Sequence, residues 1–218
     1  MIDFGALREM MPSILDGFWL TLRLLGYSAA IATVVGTVLA TMRVSPVAVL
    51  RGFGTSYVNI FRNTPLVVLF IIFVTGGPQL LGRVEFTTLA TIALSVYTAA
   101  FICEGIRSGV NTVPTGQAEA ARSIGMGFTQ TLTVVVLPQA FRAVIPPLAS
   151  IYIALAKNTS VAAAFGVAEL TYRMRSLNEQ FPQETVTRFF GIVLFYMLIV
   201  AVISGIAQAL ERRLAVSR

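Results

Sequence analysis

Residues Thr115-Gly116-Gln117-Ala118-Glu119-Ala120-Ala121-Arg122-Ser123-Ile124-Gly125, followed nine residues later by Val135-Val136-Leu137-Pro138, form a polar, glycine-punctuated interruption of apolar sequence. The spacing predicts a short helix opening at Thr115, a residue type that caps helix N-termini. Glu119 then falls in the early turns, where a carboxylate favours the positive end of the helix dipole. Gln117, Ala120, Ala121 and Ile124 recur at i, i+3, i+4 and i+7 and so share one face. Two adjacent alanines make such a face smooth enough for a partner to approach closely, and Gly125 suits the left-handed residue that ends a helix. Taken alone, an alanine-rich helix is equally a plain surface helix between two membrane spans. Five fixed positions across the stretch, with apolar runs on both sides, favour a docking element.

Those apolar runs decide the class. Of 218 residues, 56% are hydrophobic and only 12% charged, too apolar for a soluble globular domain. Five runs approach the roughly 20 residues needed to cross a bilayer. They cover about 17–41, 57–75, 86–105, 139–157 and 188–210. The first carries Gly26, Ala29, Ala30, Gly36 and Ala40, small residues that let helices approach. The second opens with Arg62-Asn63-Thr64-Pro65, which would shape its entry. The fourth is entered at Pro138 and interrupted by Pro146-Pro147, after which 159–170 is too short to span and reads as a half-helix. With no internal repeat, residues 1–218 are expected to form one all-α membrane domain.

Other classes are excluded by what the chain lacks. Cys103 is the only cysteine, so no internal disulfide forms, and without histidine a Cys/His metal site cannot be built. No cofactor is expected. The net charge of +6 comes from arginines standing singly between apolar runs, which marks membrane topology and not a nucleic-acid-binding face. No removable signal is read at the N-terminus.

Basic residues also predict orientation. Segments 42–62, 104–142 and 211–218 hold Arg43, Arg51, Arg62, Arg107, Arg122, Arg142, Arg212, Arg213 and Arg218, against Glu104, Glu119 and Glu211. Segments 1–23, 75–86 and 168–188 hold six arginines and seven acids. Nine basic residues against six place the Glu119 loop and the C-terminus inside and the N-terminus outside.

Six motifs occur in order: Arg43-Val44-Ser45-Pro46, Phe61-Arg62-Asn63-Thr64-Pro65-Leu66, Glu104-Gly105-Ile106-Arg107-Ser108-Gly109, Gly116 to Arg122, Leu137-Pro138-Gln139-Ala140 and Lys157-Asn158-Thr159-Ser160. Together they resemble the polar amino acid permeases of bacterial ABC importers, the histidine, glutamine, arginine and glutamate group, over roughly residues 10 to 215. The pattern from Met42 to Leu66 looks most like the glutamate-uptake permeases of actinobacteria. Ser108, where the family often has a second glycine, and Val135, where it usually has isoleucine, are small departures. The resemblance implies an ABC importer type I permease fold with five transmembrane helices and short cytoplasmic coupling helices, multi-pass in the bacterial cell membrane. It also implies a second permease, identical or related, ABC ATPase subunits docked on Gln117, Glu119, Ala120, Ala121, Ile124 and Gly125, and an extracellular or periplasmic amino-acid-binding protein. The chain has no Gly-x4-Gly-Lys-[Ser/Thr], and its only lysine is Lys157, so ATP hydrolysis would belong to another polypeptide. The expected function is the permease subunit of a glutamate importer, with glutamine or another polar amino acid as the alternative substrate. A self-contained secondary carrier would leave the docking loop unexplained.

Ionisable groups inside spans need a partner or a function. Glu104 is either a polar contact of the pathway or an ion-pair partner of Arg107 or Arg62, and the ion pair is favoured. Arg62 either snorkels to headgroups or meets substrate. Lys157-Asn158-Thr159-Ser160 is the better substrate candidate, because transporters build sites at interrupted helices. There the Thr159 or Ser160 hydroxyl would cap a half-helix, and Lys157 would meet a substrate carboxylate. The alternative is that Lys157 snorkels outward or pairs with a glutamate of the second permease. Arg23 either favours an acidic substrate side chain or anchors the first span at the interface, and the anchor is favoured.

Overall fold

Asp3 starts the first helix: its carboxylate accepts the backbone N–H of Gly5 at 2.7 Å and of Ala6 at 3.1 Å, supplying partners that the first turn lacks. The computed structural model describes residues 2–214, and no strand occurs among them. Arg218, counted above in the basic C-terminal segment, lies outside the described residues. Helix α1 runs Phe4–Val44. Its 41 residues reach about 60 Å, so the expected span of 17–41 is the inner part of a longer helix.

The second expected span is corrected. Helix α2, Ala48–Asn63, ends at Thr64, and the chain turns by 104° before α3, Leu66–Phe70. Proline disfavours helical backbone in the residue before it, and Thr64 accordingly sits at φ −93°, ψ 126°. Arg62-Asn63-Thr64-Pro65 therefore stands at the entry of the span, with Pro65 at the N-cap of α3, while the expected start at about 57 falls in a separate amphipathic helix. Beyond α3 a π-helical turn, Ile71–Gly76, leads into α4, Gly77–Leu81, with Pro78 in its first turn. The same device recurs later. A π-helical turn at Thr131–Val136 joins α7, Phe128–Gln130, to α8, Leu137–Asn158, just before Pro138. In both places the wider turn precedes a residue that cannot donate a backbone hydrogen bond and whose ring crowds the turn before it.

Four helical stretches are long and apolar enough to cross a membrane, and α2 with Leu66–Gln79 counts as a fifth when the bent pair is taken together. They are α1, α5 at Phe86–Asn111, the stretch Phe128–Phe165 containing α8, and α10 at Thr185–Leu214. Small residues bring them together. Ser28, Ala32, Gly36 and Ala40 recur every four residues on the buried face of α1, and a Cβ on Gly36 would lie 2.9 Å from the Ala99 carbonyl oxygen of α5. Gly26 and Ala30, expected to share this role, are exposed. On α5, Gly105 and Gly109 admit α8: an added Cβ would meet Ile151 Cδ1 at 2.9 Å and Val144 Cγ2 at 2.4 Å. Close small-residue seams suit membrane helices, whose association draws on packing and not on escape from water. Three polar bonds pin the seams: Thr33 Oγ1 to Tyr152 Oη at 2.7 Å, Tyr57 Oη to the Val96 carbonyl at 2.9 Å, and Ser28 Oγ to the Thr91 carbonyl at 3.3 Å.

The expected break at Pro146-Pro147 is also corrected, because α8 continues through both prolines to Asn158. Val144, Pro147, Leu148 and Ile151 are clasped against Gly105 and Gly109, and this packing holds the helix where two donors are lost. No half-helix follows. Thr159–Phe165 is a 3-10 turn closed by Gly166 at φ +80°, and α9 begins only at Leu170, ending at Gln180.

Candidate functional site

Helix α6, Thr115–Ser123, leaves the end of α5 and carries the loop motif. Pro114, not Thr115, occupies its N-cap, and no side chain caps it. Glu119 is thereby the fifth helical residue, beyond the first turn in which the dipole effect is felt. The shared face is divided as well: Ala121 is buried against the chain itself, while Gln117, Glu119, Ala120 and Ile124 are exposed. The helix ends as its sequence predicts. Gly125 takes φ +88°, its N–H bonds to the Arg122 carbonyl at 2.9 Å, and the Met126 N–H bonds to the Ala121 carbonyl at 3.1 Å. This is a Schellman closure. It leaves Ile124 80% and Phe128 68% exposed on either side of the glycine. Phe128 was not singled out in the sequence; a large aromatic just past Gly125-Met126-Gly127 was the available signal.

At the same end of α5, Glu104 gathers arginines from three helices. Its carboxylate pairs with Arg43 from the last turn of α1 and with Arg107 of α5, whose Nε donates at 3.0 Å. Arg62 from the last turn of α2 approaches to 3.7 Å. The ion-pair reading of Glu104 thus matches the geometry, with Arg43 as a partner that sequence spacing did not suggest. Arg43 is held tightly at 14% side-chain exposure, whereas Arg62 is 42% exposed and stands over the Phe101 ring at 5.5 Å.

The structure separates the members of Lys157-Asn158-Thr159-Ser160. Asn158 lines a small cavity of about 80 Å³ with Tyr97, Thr98 and Phe101 of α5. Lys157 instead borders a groove along α10 beside Val193, Tyr196 and Met197. Thr159 Oγ1 donates to the Ala156 carbonyl and Ser160 Oγ to the Lys157 carbonyl, both at 2.7 Å. These hydroxyls bond back onto the end of α8 and cap no following helix. Lys157 consequently sits in the last turn of α8, where a cation complements the negative end of the dipole. The positive half-helix terminus expected there is absent.

Glu169, unnoticed in the sequence reading, is fully buried at the N-cap of α9. It accepts the Tyr172 N–H at 2.9 Å and the Tyr196 hydroxyl of α10 at 2.6 Å. Burial pushes its carboxyl above the usual range, against the lowering effect of these bonds.

Comparison with known proteins converges on one family. The family described as binding-protein-dependent transport system inner membrane component matches residues 32–216. The glutamate transport system permease protein GluC of Corynebacterium glutamicum is 41% identical, over 96% of this chain and 97% of that protein. The probable glutamine ABC transporter permease protein GlnM of Bacillus subtilis is 35% identical over 98% of each. A solved structure of an amino acid ABC transporter with histidines superposes with a TM-score of 0.88 at 27% identity, covering 98% of this chain and 99% of that one. With the five spans and the exposed loop helix in place, the chain belongs to the binding-protein-dependent transport system inner membrane components and has the ABC importer type I permease fold.

Proposed function

We propose that this protein is the permease subunit of an ATP-driven importer for glutamate, docked to a separate ATPase through α6 and the Ile124–Phe128 turn. The observation that carries the docking is a rigid Schellman corner holding two large apolar side chains in the open, between spans and uncovered by the rest of the chain. A second permease completes the pathway, and an external binding protein delivers the amino acid. The arginine bias places α6 on the cytoplasmic side and the N-terminus outside. Substrate choice rests on the 41% and 44% identity to glutamate permeases of two Corynebacterium species. Glutamine is the second reading, supported by the relative that is 35% identical.

The pathway face is the α5–α8 seam with Asn158, Tyr97, Thr98 and the loosely held Arg62. Its cavity of about 80 Å³ is well below the roughly 300 Å³ of a ligand pocket, so the second permease must supply the rest of the pathway.

The test is to reconstitute the assembled complex and the chain alone in vesicles and follow labelled glutamate and glutamine. The complex should accumulate glutamate only with ATP inside, and the chain alone should do nothing. Uptake by the isolated chain would overturn the reading, and preference for glutamine would overturn the substrate. A cysteine at Gln183, with Cys103 replaced, should label from outside and one at Thr115 should not. Lys157→Met should leave uptake within about threefold if Lys157 only terminates α8; a larger loss restores it to the pathway.

A further inference from the structure

Between α1, α8 and α10 lies an open groove of about 440 Å³ whose lining is apolar. One wall is a helical stripe of α8 from Phe141 to Tyr152, and the other is a stripe of α10 from Ile203 to Leu214, with Leu25 and Ala29 of α1 as the floor. The Tyr152 hydroxyl is bonded to Thr33 Oγ1, so the wall adds no unpaired polar group. Each stripe advances by eleven residues, about 16 Å. That is half of the roughly 30 Å hydrocarbon core, the depth of one leaflet.

The end of the groove where α8 begins and α10 finishes carries three arginines, Arg142, Arg212 and Arg213, against one acid, Glu211, a net charge of +2. Arg142 lies seven residues before Ala149 of the wall, and Arg213 lies seven after Ile206 and three after Leu210. Two helical turns return to the same face, so both arginines stand in line with the stripes. Both are exposed, and neither enters an ion pair among the described residues.

The geometry points to a bound anionic phospholipid, with one acyl chain in the groove and its phosphate between Arg142 and Arg213. The alternative occupant, a helix of a second permease, fits poorly. A spanning helix would run the full bilayer depth, about twice the length of the groove, and gain nothing from two cations at one end. An acyl chain matches the leaflet length, the apolar walls and the charge.

The experiment uses the assembled permease–ATPase complex in nanodiscs of equal phosphatidylglycerol and phosphatidylcholine. Phospholipid retained after transfer to mild detergent is counted by native mass spectrometry. Wild type should hold one phospholipid per permease chain and prefer phosphatidylglycerol by roughly 30-fold, the effect of two arginines on a headgroup of net negative charge, since choline offsets the phosphate of phosphatidylcholine. Arg142→Gln with Arg213→Gln should abolish that preference, and Ala149→Phe should block the groove and abolish retention. Subunit stoichiometry and thermal midpoint should stay unchanged in both variants. Equal retention in wild type and Ala149→Phe, or none in wild type, overturns the proposal. So does disulfide cross-linking of a cysteine at Ala149 to the second permease, which would make the groove a protein interface.

Discussion

Gly109 and Gly125 lie on consecutive helical segments and meet opposite demands. At Gly109 there is no room: a Cβ would stand 2.4 Å from Val144 Cγ2 and 2.9 Å from the Val144 backbone. At Gly125 there is only room, with nothing within 4 Å, but the backbone sits at φ +88°. The first glycine closes a seam inside the bundle, and the second shapes a corner that nothing in the chain covers. The bundle is held together by residues that cannot grow, while the loop, on the function proposed above, holds a shape for a partner. Stability and partner recognition are therefore expected to separate by region.

The largest effect should come from breaking the seam. Gly109→Leu forces α5 and α8 apart and should cost 3 kcal/mol or more, since overpacking alone typically costs about 1–3 kcal/mol and here the obstruction includes backbone. A thermal-unfolding series of the purified complex measures it, and a midpoint within a degree of wild type would refute the seam. Changes in the loop should do the reverse. Glu119→Lys and Ile124→Asp are exposed substitutions, expected to move stability by no more than about 0.5 kcal/mol. The same changes should weaken ATPase association by about 100-fold, as loss of an interface hot spot does. Co-purification and ATPase titration read this out, and unchanged association would remove the docking role.

The Glu104 cluster sharpens the comparison at an intermediate scale. Arg43→Gln should destabilise by about 1–2 kcal/mol and Arg62→Gln by less than about 0.5, because a tightly held, little-exposed pair is worth more than a screened one. Equal effects would mean that burial does not set the order.

The smallest effect is a pH slope at Glu169. A carboxyl whose pKa is raised by folding binds more protons in the native state than in the unfolded state. Its contribution is then most favourable at low pH and is lost as pH rises from the ordinary carboxylate range, about 4.3, through the raised value. Glu169→Gln keeps an acceptor for Tyr172 and Tyr196 and removes the charge. The wild-type thermal midpoint should fall relative to that variant as pH increases across this window, and a constant difference between the two would show that Glu169 does not titrate there.

How much of this was legible differs by element. The Schellman stop at Gly125 was readable because helix termination is a local matter of one residue's backbone freedom. Glu104 with Arg107 was readable because i and i+3 are neighbours on any helix. The bend before Pro65 and the unbroken α8 were missed for one reason: proline's effect depends on what holds the helix around it. At Pro65 the preceding threonine turns extended and the direction changes, whereas at Pro146-Pro147 two glycines of another helix clasp the chain and it stays straight enough to continue. With the break went the half-helix, and the hydroxyls of Thr159 and Ser160 turned back to Ala156 and Lys157. Ala121 was assigned to the open face because periodicity finds faces without saying which one the rest of the chain covers.

The sequence by itself determined the class, the membrane setting, four of the five spans, the loop helix and its glycine stop. Each depends on composition or on contacts within a few residues, which hydrophobic runs and spacing encode directly. Only the tertiary structure decided that Arg43 of α1 meets Glu104 of α5, that Asn158 and Lys157 face different helices, and that Glu169 is buried beneath Tyr196. Those facts depend on which helix faces come together, and that choice is made by the fit of small residues between helices far apart in sequence, where no local rule applies.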